Sequence, residues 1–303
     1  MKRLKKLLPI GCSVLTLFTM SVFNVSADTE TAADNISVMQ TAASASTNYD
    51  FTYNGGAYKI LNDTYVSFMG VTDSSVKNFD IPSRAVDMQN QKYYLISDIG
   101  DPNAYMPGSN SGLMNLETIG SVPGSITTVN NFAFYGGKLK SINLSGLKGL
   151  SKINYSAFAN CAQLQTVKLP SYLRTIENSA FAGCTSLTNF SIAPDGKGEC
   201  TLNTISAFAF SNCSKLRLLN IPFSTSLTIE DNALANMSAT AANPVEIALG
   251  TSINSNYYYG YIKVADSVIE QLKNNTLRFT GNLSAYKLND MNGNELKWNG
   301  TIV

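Results

Sequence analysis

The sequence contains no histidine. That removes Ser-His-Asp and Cys-His nucleophilic catalysis and nearly all zinc chemistry of the enzyme type, which rest on imidazole as base or ligand. A glycine-rich phosphate loop is also missing: Asn54-Gly55-Gly56 reads as a hairpin turn, not a phosphate cradle. Nor is there a basic excess. The chain carries 22 Lys and Arg against 21 Asp and Glu. Four of the cations, Lys2, Arg3, Lys5 and Lys6, fall in a segment expected to be removed, leaving 18 against 21 and a net charge of −3. Nucleic acid and anionic lipid both require a basic footprint, so neither is an expected partner. Paired carboxylates of the glycosidase type remain a formal route to catalysis. The candidates Glu177, Asp195, Glu199, Glu230 and Asp231 sit in loops, where a solvated charge is the expected role. Asp290-Met291-Asn292-Gly293-Asn294-Glu295 lacks the Asp-x-Asp-x-Asp-Gly order of a calcium loop and reads as a tight hairpin. The chain is therefore expected not to be an enzyme, with no cofactor and no metal.

What the N-terminus does have is an export signature. The basic residues precede an apolar stretch from Leu7 to Val25, and Val25-Ser26-Ala27 places small residues for cleavage after Ala27. Pro9, Gly11 and several Ser and Thr residues dilute the stretch, which argues against a permanent membrane span. Cys12 begins the apolar region, whereas a lipidated cysteine ends it. The C-terminus, Asn299-Gly300-Thr301-Ile302-Val303, is too short and polar to anchor, and no sortase-type signal is visible. Residues 28–48 are dominated by Ala, Ser and Thr without an aromatic residue. They bury too little apolar surface to offset ordering, so a disordered leader is expected. The mature protein is expected outside the cell, secreted or surface-associated.

From Tyr49 the pattern turns β-rich, and then it repeats. The segments 132–137, 156–161, 179–184 and 208–213 share an Ala-Phe core, at Ala133-Phe134, Ala157-Phe158, Ala180-Phe181 and Ala209-Phe210. A fading copy follows at Ala233-Leu234. The Phe (or Leu) positions are spaced by 24, 23, 29 and 24 residues. The long spacing contains Pro194-Asp195-Gly196-Lys197-Gly198-Glu199, a polar insertion suited to a loop. After each Ala-Phe comes Leu-x-x-φ-x-φ (φ apolar): Leu139-x-x-Ile142-x-Leu144, Leu164-x-x-Val167-x-Leu169, Leu187-x-x-Phe190-x-Ile192 and Leu216-x-x-Leu219-x-Ile221. Its alternation marks a short strand with its apolar side inward. Pro170 and Pro222 end two of these strands. Before each Ala-Phe stands a second ridge, as in Leu150-x-x-Ile153 and Leu173-x-x-Ile176. One unit cannot bury two ridges and an aromatic plug, but stacked units can.

This pattern resembles the BspA-like leucine-rich repeats of bacterial surface and secreted proteins, over roughly residues 50–275. Phe79-Asp80-Ile81-Pro82-Ser83, Gln91-Lys92-Tyr93-Tyr94 and Ile96-Ser97-Asp98-Ile99-Gly100 fit the lead-in of such proteins, and Leu113-x-x-Leu116-x-x-Ile119 a degenerate first repeat. Gly137, Leu234 and Met237 depart from the pattern, in terminal units. The resemblance implies a β-rich, right-handed solenoid of short parallel strands and a binding or adhesion role. It also implies that Cys161, Cys184 and Cys213, each three residues after a Phe, are buried thiols. Their equivalent positions place them in one interior column, where free Cys acts as a small hydrophobe. A cross-rung disulfide stays open on Cα spacing alone. Cys200 lies outside the column with no obvious partner.

The expected organisation is a signal peptide (1–27), a leader (28–48), a β-rich N-terminal cap (49–95), leucine-rich repeats (96–242), and a last strand with a mixed C-terminal cap (243–303). In that cap Asp266 is expected to be the N-cap of a short helix, and Asn292-Gly293 the turn of a hairpin. Two surfaces are candidate ligand sites. The first comprises the outward positions of the Leu-x-x-φ-x-φ strands, two columns formed by Ser141, Thr166, Asn189, Leu218 and by Asn143, Lys168, Ser191, Asn220. The second is the aromatic run Tyr257, Tyr258 and Tyr259. The expected ligand is an extracellular protein or, alternatively, a glycan.

Overall fold

The computed structural model describes residues 48–250 and 259–299. The expected signal peptide, all of the leader but Asn48, Tyr257, Tyr258 and the last four residues lie outside the described residues. Each turn of the chain, here a rung, lays one short strand in each of two sheets. The first sheet receives Thr128–Val129, Lys152–Ile153, Thr175–Ile176, Thr204–Ile205 and Ser226–Ile229. They pair in parallel with Val129, Ile153, Ile176, Ile205 and Ile229 in register. The second receives Ser141–Asn143, Thr166–Leu169, Asn189–Ile192, Leu218–Ile221 and Val245–Leu249, with Ile142, Val167, Phe190, Leu219 and Ile247 in register. These registered residues are the inward positions of the repeat and are all buried. The alternation along each strand sets which side faces the core, as the sequence pattern requires.

The turns between the two sheets form a third hydrogen-bonded row. The Phe134 N–H donates to the Ala157 carbonyl at 2.7 Å, and Phe158, Phe181 and Phe210 donate to Ala180, Ala209 and Ala233 at 2.8 Å each. Two residues later, Gly136, Asn160, Gly183 and Asn212 donate to Ala159, Ala182, Ser211 and Ala235. Backbone groups that would otherwise be stranded between strands are thus paired with the next rung. Gly136, Asn160, Gly183, Asn212 and Asn236 all have positive φ. Glycine and asparagine recur there because they tolerate the left-handed region best.

Inside, Phe134, Phe158, Phe181 and Phe210 stack with ring centroids 5.0, 5.2 and 5.5 Å apart and interplanar angles of 8°, 4° and 8°. The cysteines run beside them. Cys161, Cys184 and Cys213 donate to the carbonyls of Phe134, Phe158 and Phe181 in the preceding rung, at 2.9, 3.1 and 3.1 Å. All four described cysteines are free and buried. Burial raises the Cys161 thiol to about 12 and that of Cys200 to about 11, and it lifts Cys184 well above the ordinary thiol range. Cys161, Cys184 and Cys213 are sealed from solvent, so native protein should label slowly with a maleimide at all three. Denatured, unreduced protein should label at all four. Two missing labels in the mass spectrum would mean a disulfide and a different interior.

Parallel stacking continues on both sides of the Ala-Phe repeats. Tyr65–Val71 pairs with Lys92–Ile99, which pairs with Thr128–Val129, and Asn78–Phe79 pairs with Thr118–Ile119. An antiparallel hairpin, Phe51–Tyr53 with Gly56–Ile60, covers this end of the first sheet. Its Asn54 and Gly55 have φ of 48° and 81°, the two left-handed residues of the expected tight turn. Beyond the repeats, Gly260–Val264 and Tyr286–Asp290 extend the first sheet and Leu277–Gly281 extends the second. The helix Asp266–Lys273 starts one residue earlier than expected: Ala265, not Asp266, is its N-cap, and Asp266 lies in the first turn, where its charge complements the helix dipole. The Asn292-Gly293 turn forms, with a bridge between Asn289 and Glu295. The Asp290 carboxylate accepts from the Asn294 backbone at 2.8 Å and from its side chain at 2.7 Å, so it closes this turn. Trp298 sits edge-on to Phe279 at 5.4 Å and covers part of the last strand of the second sheet.

Candidate functional site on the second sheet

The second sheet turns its non-core side chains to solvent, and parallel register lines them up. Thr118 is level with Ser141, Ser141 with Thr166, Thr166 with Asn189, and Leu218 with Glu246 and then Arg278 through their strands. The other column runs through Asn143, Lys168, Ser191 and Asn220. Six of the sequence candidates, Thr166, Lys168, Asn189, Ser191, Leu218 and Asn220, meet in one shallow cleft of about 330 Å³, joined by Thr188 and the edge of Phe190. Ser141 and Asn143 belong to the same columns one rung away and do not line the cleft.

The cleft is polar with little charge. Lys168 makes no ion pair among the described residues, whereas the charges on either side of it are paired. Lys140 meets Glu117 at 2.6 Å and holds its carboxyl below the usual range, chiefly through their hydrogen bond. At the far end Arg278 meets Glu246 at 2.5 Å. Leu218 is the apolar element, 37 % exposed beside Asn189 and Asn220. The cleft can therefore offer hydrogen bonds, one cation and one apolar contact, with no general acid or base pair aimed at a common point.

Tyr259 is elsewhere. It precedes Gly260–Val264 in the first sheet, is exposed, and has the Lys287 Nζ 6.0 Å from its ring centre. Tyr259, the described member of the aromatic run, thus lies next to the first sheet and not on the face that carries the cleft. Thr188, Glu246 and Arg278 were not anticipated. Glu246 is the outward residue of a strand legible in Val245-Glu246-Ile247-Ala248-Leu249, and Arg278 stands between Leu277 and Phe279 in the same alternation.

The loop carboxylates serve the fold. Glu177 pairs with Lys152 at 3.2 Å, Glu230 accepts from the Ala207 N–H at 3.0 Å, and Asp195 accepts from the backbone of Lys197 and Glu199 at 2.8 and 2.9 Å. Among the described residues no group of three or more metal-ligating side chains is placed to hold an ion. No described helix is long and apolar enough to cross a membrane.

Two stacked parallel sheets, joined by repeated turns over an aromatic and leucine core, define a leucine-rich-repeat solenoid. Residues 111–241 match the family model of the BspA type leucine rich repeat region in six copies, so this part of the chain is a BspA-type repeat region. No curated protein shows significant similarity to the chain. Among solved structures, a leucine-rich repeat protein from Bacteroides ovatus is 19% identical, with 80% of this chain and 71% of that one covered at a TM-score of 0.44. The pneumococcal vaccine antigen PcpA is 20% identical, covering 73% and 65% at 0.44. A leucine rich cell surface protein from Faecalibacterium prausnitzii is 16% identical, covering 79% and 75% at 0.38. No enzyme family is indicated.

Proposed function

We propose that the chain is an exported, non-catalytic binding protein that takes an extracellular protein ligand on the outward face of the second sheet. The observation that carries this reading is the convergence of Thr166, Lys168, Asn189, Ser191, Leu218 and Asn220 on one cleft. Repeat proteins use such aligned faces because neighbouring rungs present side chains at ~4.8 Å intervals. In this reading residues 1–27 direct export, residues 28–48 are a spacer, and residues 49–95 and 243–303 cap the repeats of 96–242. The rival reading is a glycan-binding module centred on Tyr257, Tyr258 and Tyr259, favoured by the exposure of Tyr259.

A pair of multi-site variants separates the two. One replaces Thr166, Lys168, Asn189 and Ser191 with Ala, the other Tyr257, Tyr258 and Tyr259 with Ala. Each is assayed for melting temperature and for binding to a panel of immobilised matrix proteins and a glycan array. The first is expected to stay folded and lose protein binding, and the second to bind normally. Binding should also change little with salt, because recognition rests on hydrogen bonds and not on charges acting over a Debye length of ~10 Å. A folded first variant with normal binding, beside a folded second variant without it, would move the site to the tyrosines.

A further inference from the structure

We infer that the turn row of the solenoid carries a second binding site, a cleft with an aromatic wall suited to an uncharged oligosaccharide. It occupies about 350 Å³ and is floored by Ser156, Ala159, Ser179 and Ala182 from two successive rungs. Phe132 and Tyr155 form one wall, packed edge to face at 5.3 Å. The next rung beyond the floor carries Phe208, and the Ser179 N–H donates to the neighbouring Ala207 carbonyl at 3.2 Å. Phe132, Ser156, Ser179 and Phe208 are the same position in four consecutive rungs. Small residues in the two middle rungs keep the cleft open, and Phe208 stands one rung beyond its floor.

Three observations point to a ligand there. First, that shared position is left-handed in every rung, with φ of 53°, 50°, 57° and 57°. Serine bears this conformation at modest cost, whereas a bulky aromatic residue does so rarely. Burial compensates Phe132 but not Phe208, which is 43 % exposed and has no ring partner among the described residues. An exposed phenylalanine in a disfavoured conformation adds little to the fold. Second, Tyr155 is 46 % exposed although it leans on Phe132, so an aromatic surface remains open to solvent. Third, Ser156 is only 4 % exposed on the cleft floor, and its hydroxyl makes no hydrogen bond to any described residue.

The chemistry of the lining selects the ligand class. No charged residue contributes to the cleft, so it offers nothing to a phosphate, a carboxylate or an ammonium group. Open aromatic faces pack against the C–H face of a pyranose ring. The free Ser156 hydroxyl and the Asn160 side chain, held by the Tyr135 hydroxyl at 2.8 Å, supply a few oriented polar groups to its hydroxyls. Aromatic walls with sparse polar groups are the usual make-up of small-ligand clefts.

The test is calorimetric titration of the mature chain with xylohexaose, cellohexaose, mannohexaose and laminarihexaose, with melting temperature measured alongside. At least one hexaose should bind saturably at millimolar concentration. Tyr155→Ala should weaken that binding roughly tenfold, the loss of one aromatic contact. Phe208→Ser, which restores the residue of the two preceding rungs, should weaken binding while the melting temperature holds or rises. The Thr166, Lys168, Asn189 and Ser191 variant should bind the sugar normally, which keeps this site separate from the second-sheet face. Absence of binding by all four sugars would overturn the proposal. So would Phe208→Ser with unchanged affinity, or Phe208→Ser with a clearly lowered melting temperature, since Phe208 would then serve the fold.

Discussion

Phe181→Ala is expected to destabilise the protein by about 3–5 kcal/mol, the range for removing a buried phenylalanine. The upper part of that range is the expectation here. Phe181 is fully buried and lies between Phe158 and Phe210 in the ring stack, with Phe190 edge-on at 5.6 Å. Each aromatic pair adds to the loss from burial alone. The cavity cannot close by local movement, because the rungs on both sides are fixed by three hydrogen-bonded rows. In a chain of this size the melting temperature should fall by roughly 10 °C. Nearest-neighbour coupling should carry the damage to the adjoining rungs first. Thermal unfolding followed by circular dichroism checks this, and an unchanged midpoint would show that the repeat register is wrong.

Gly70→Ala should have the next largest effect. Gly70 lies in Tyr65–Val71 with φ of +109°, outside the regions open to residues with a Cβ. An added Cβ would also overlap the Gly112 carbonyl, which belongs to the one-turn helix Ser111–Met114 packed on this strand. The obstruction is backbone against backbone, so no side-chain rotation relieves it. A loss of about 3 kcal/mol is expected from the combined strain and displacement. The consequence should be local: the N-terminal strands separate from the first repeats while the later rungs hold. Limited proteolysis should then cut Gly70→Ala before residue 100 and leave the remainder resistant. Wild-type resistance at that end would contradict the close approach of Gly70 and Gly112.

The parts of the fold that were legible in the sequence are those where one residue type serves one purpose. The Phe column, the two leucine ridges and the Asn or Gly of each turn all recur because burial or a left-handed backbone admits few alternatives. The outward columns followed from the same alternation, which is why Thr166, Lys168, Asn189 and Ser191 were found together. Other features follow from the neighbouring rung and not from local pattern. Leu277–Gly281 becomes a strand because Val245–Leu249 offers it an open edge. Asp266 enters the first helical turn because Ala265 takes the cap. The turn row is invisible to any strand pattern, since its residues curve while their N–H groups still reach the next rung. Its consequence, the cleft with an aromatic wall, escaped for the same reason: Phe132 and Phe208 both stand two residues before a buried Phe, and nothing in the pattern marks the first as buried and the second as exposed.

Binding at the second sheet is tested most directly by blocking it in the native protein. The buried native thiols leave an engineered surface cysteine as the fast-reacting one. Asn189→Cys places a thiol in the cleft, and Asn203→Cys places one at an exposed position beside the first-sheet strand Thr204–Ile205. Each is modified to completion with a bulky maleimide, and binding is measured to a matrix protein that the unmodified chain retains. Modification at Asn189→Cys should abolish binding with no change in melting temperature, and modification at Asn203→Cys should leave it intact. Full binding by the modified Asn189→Cys protein would contradict a ligand site on the second sheet.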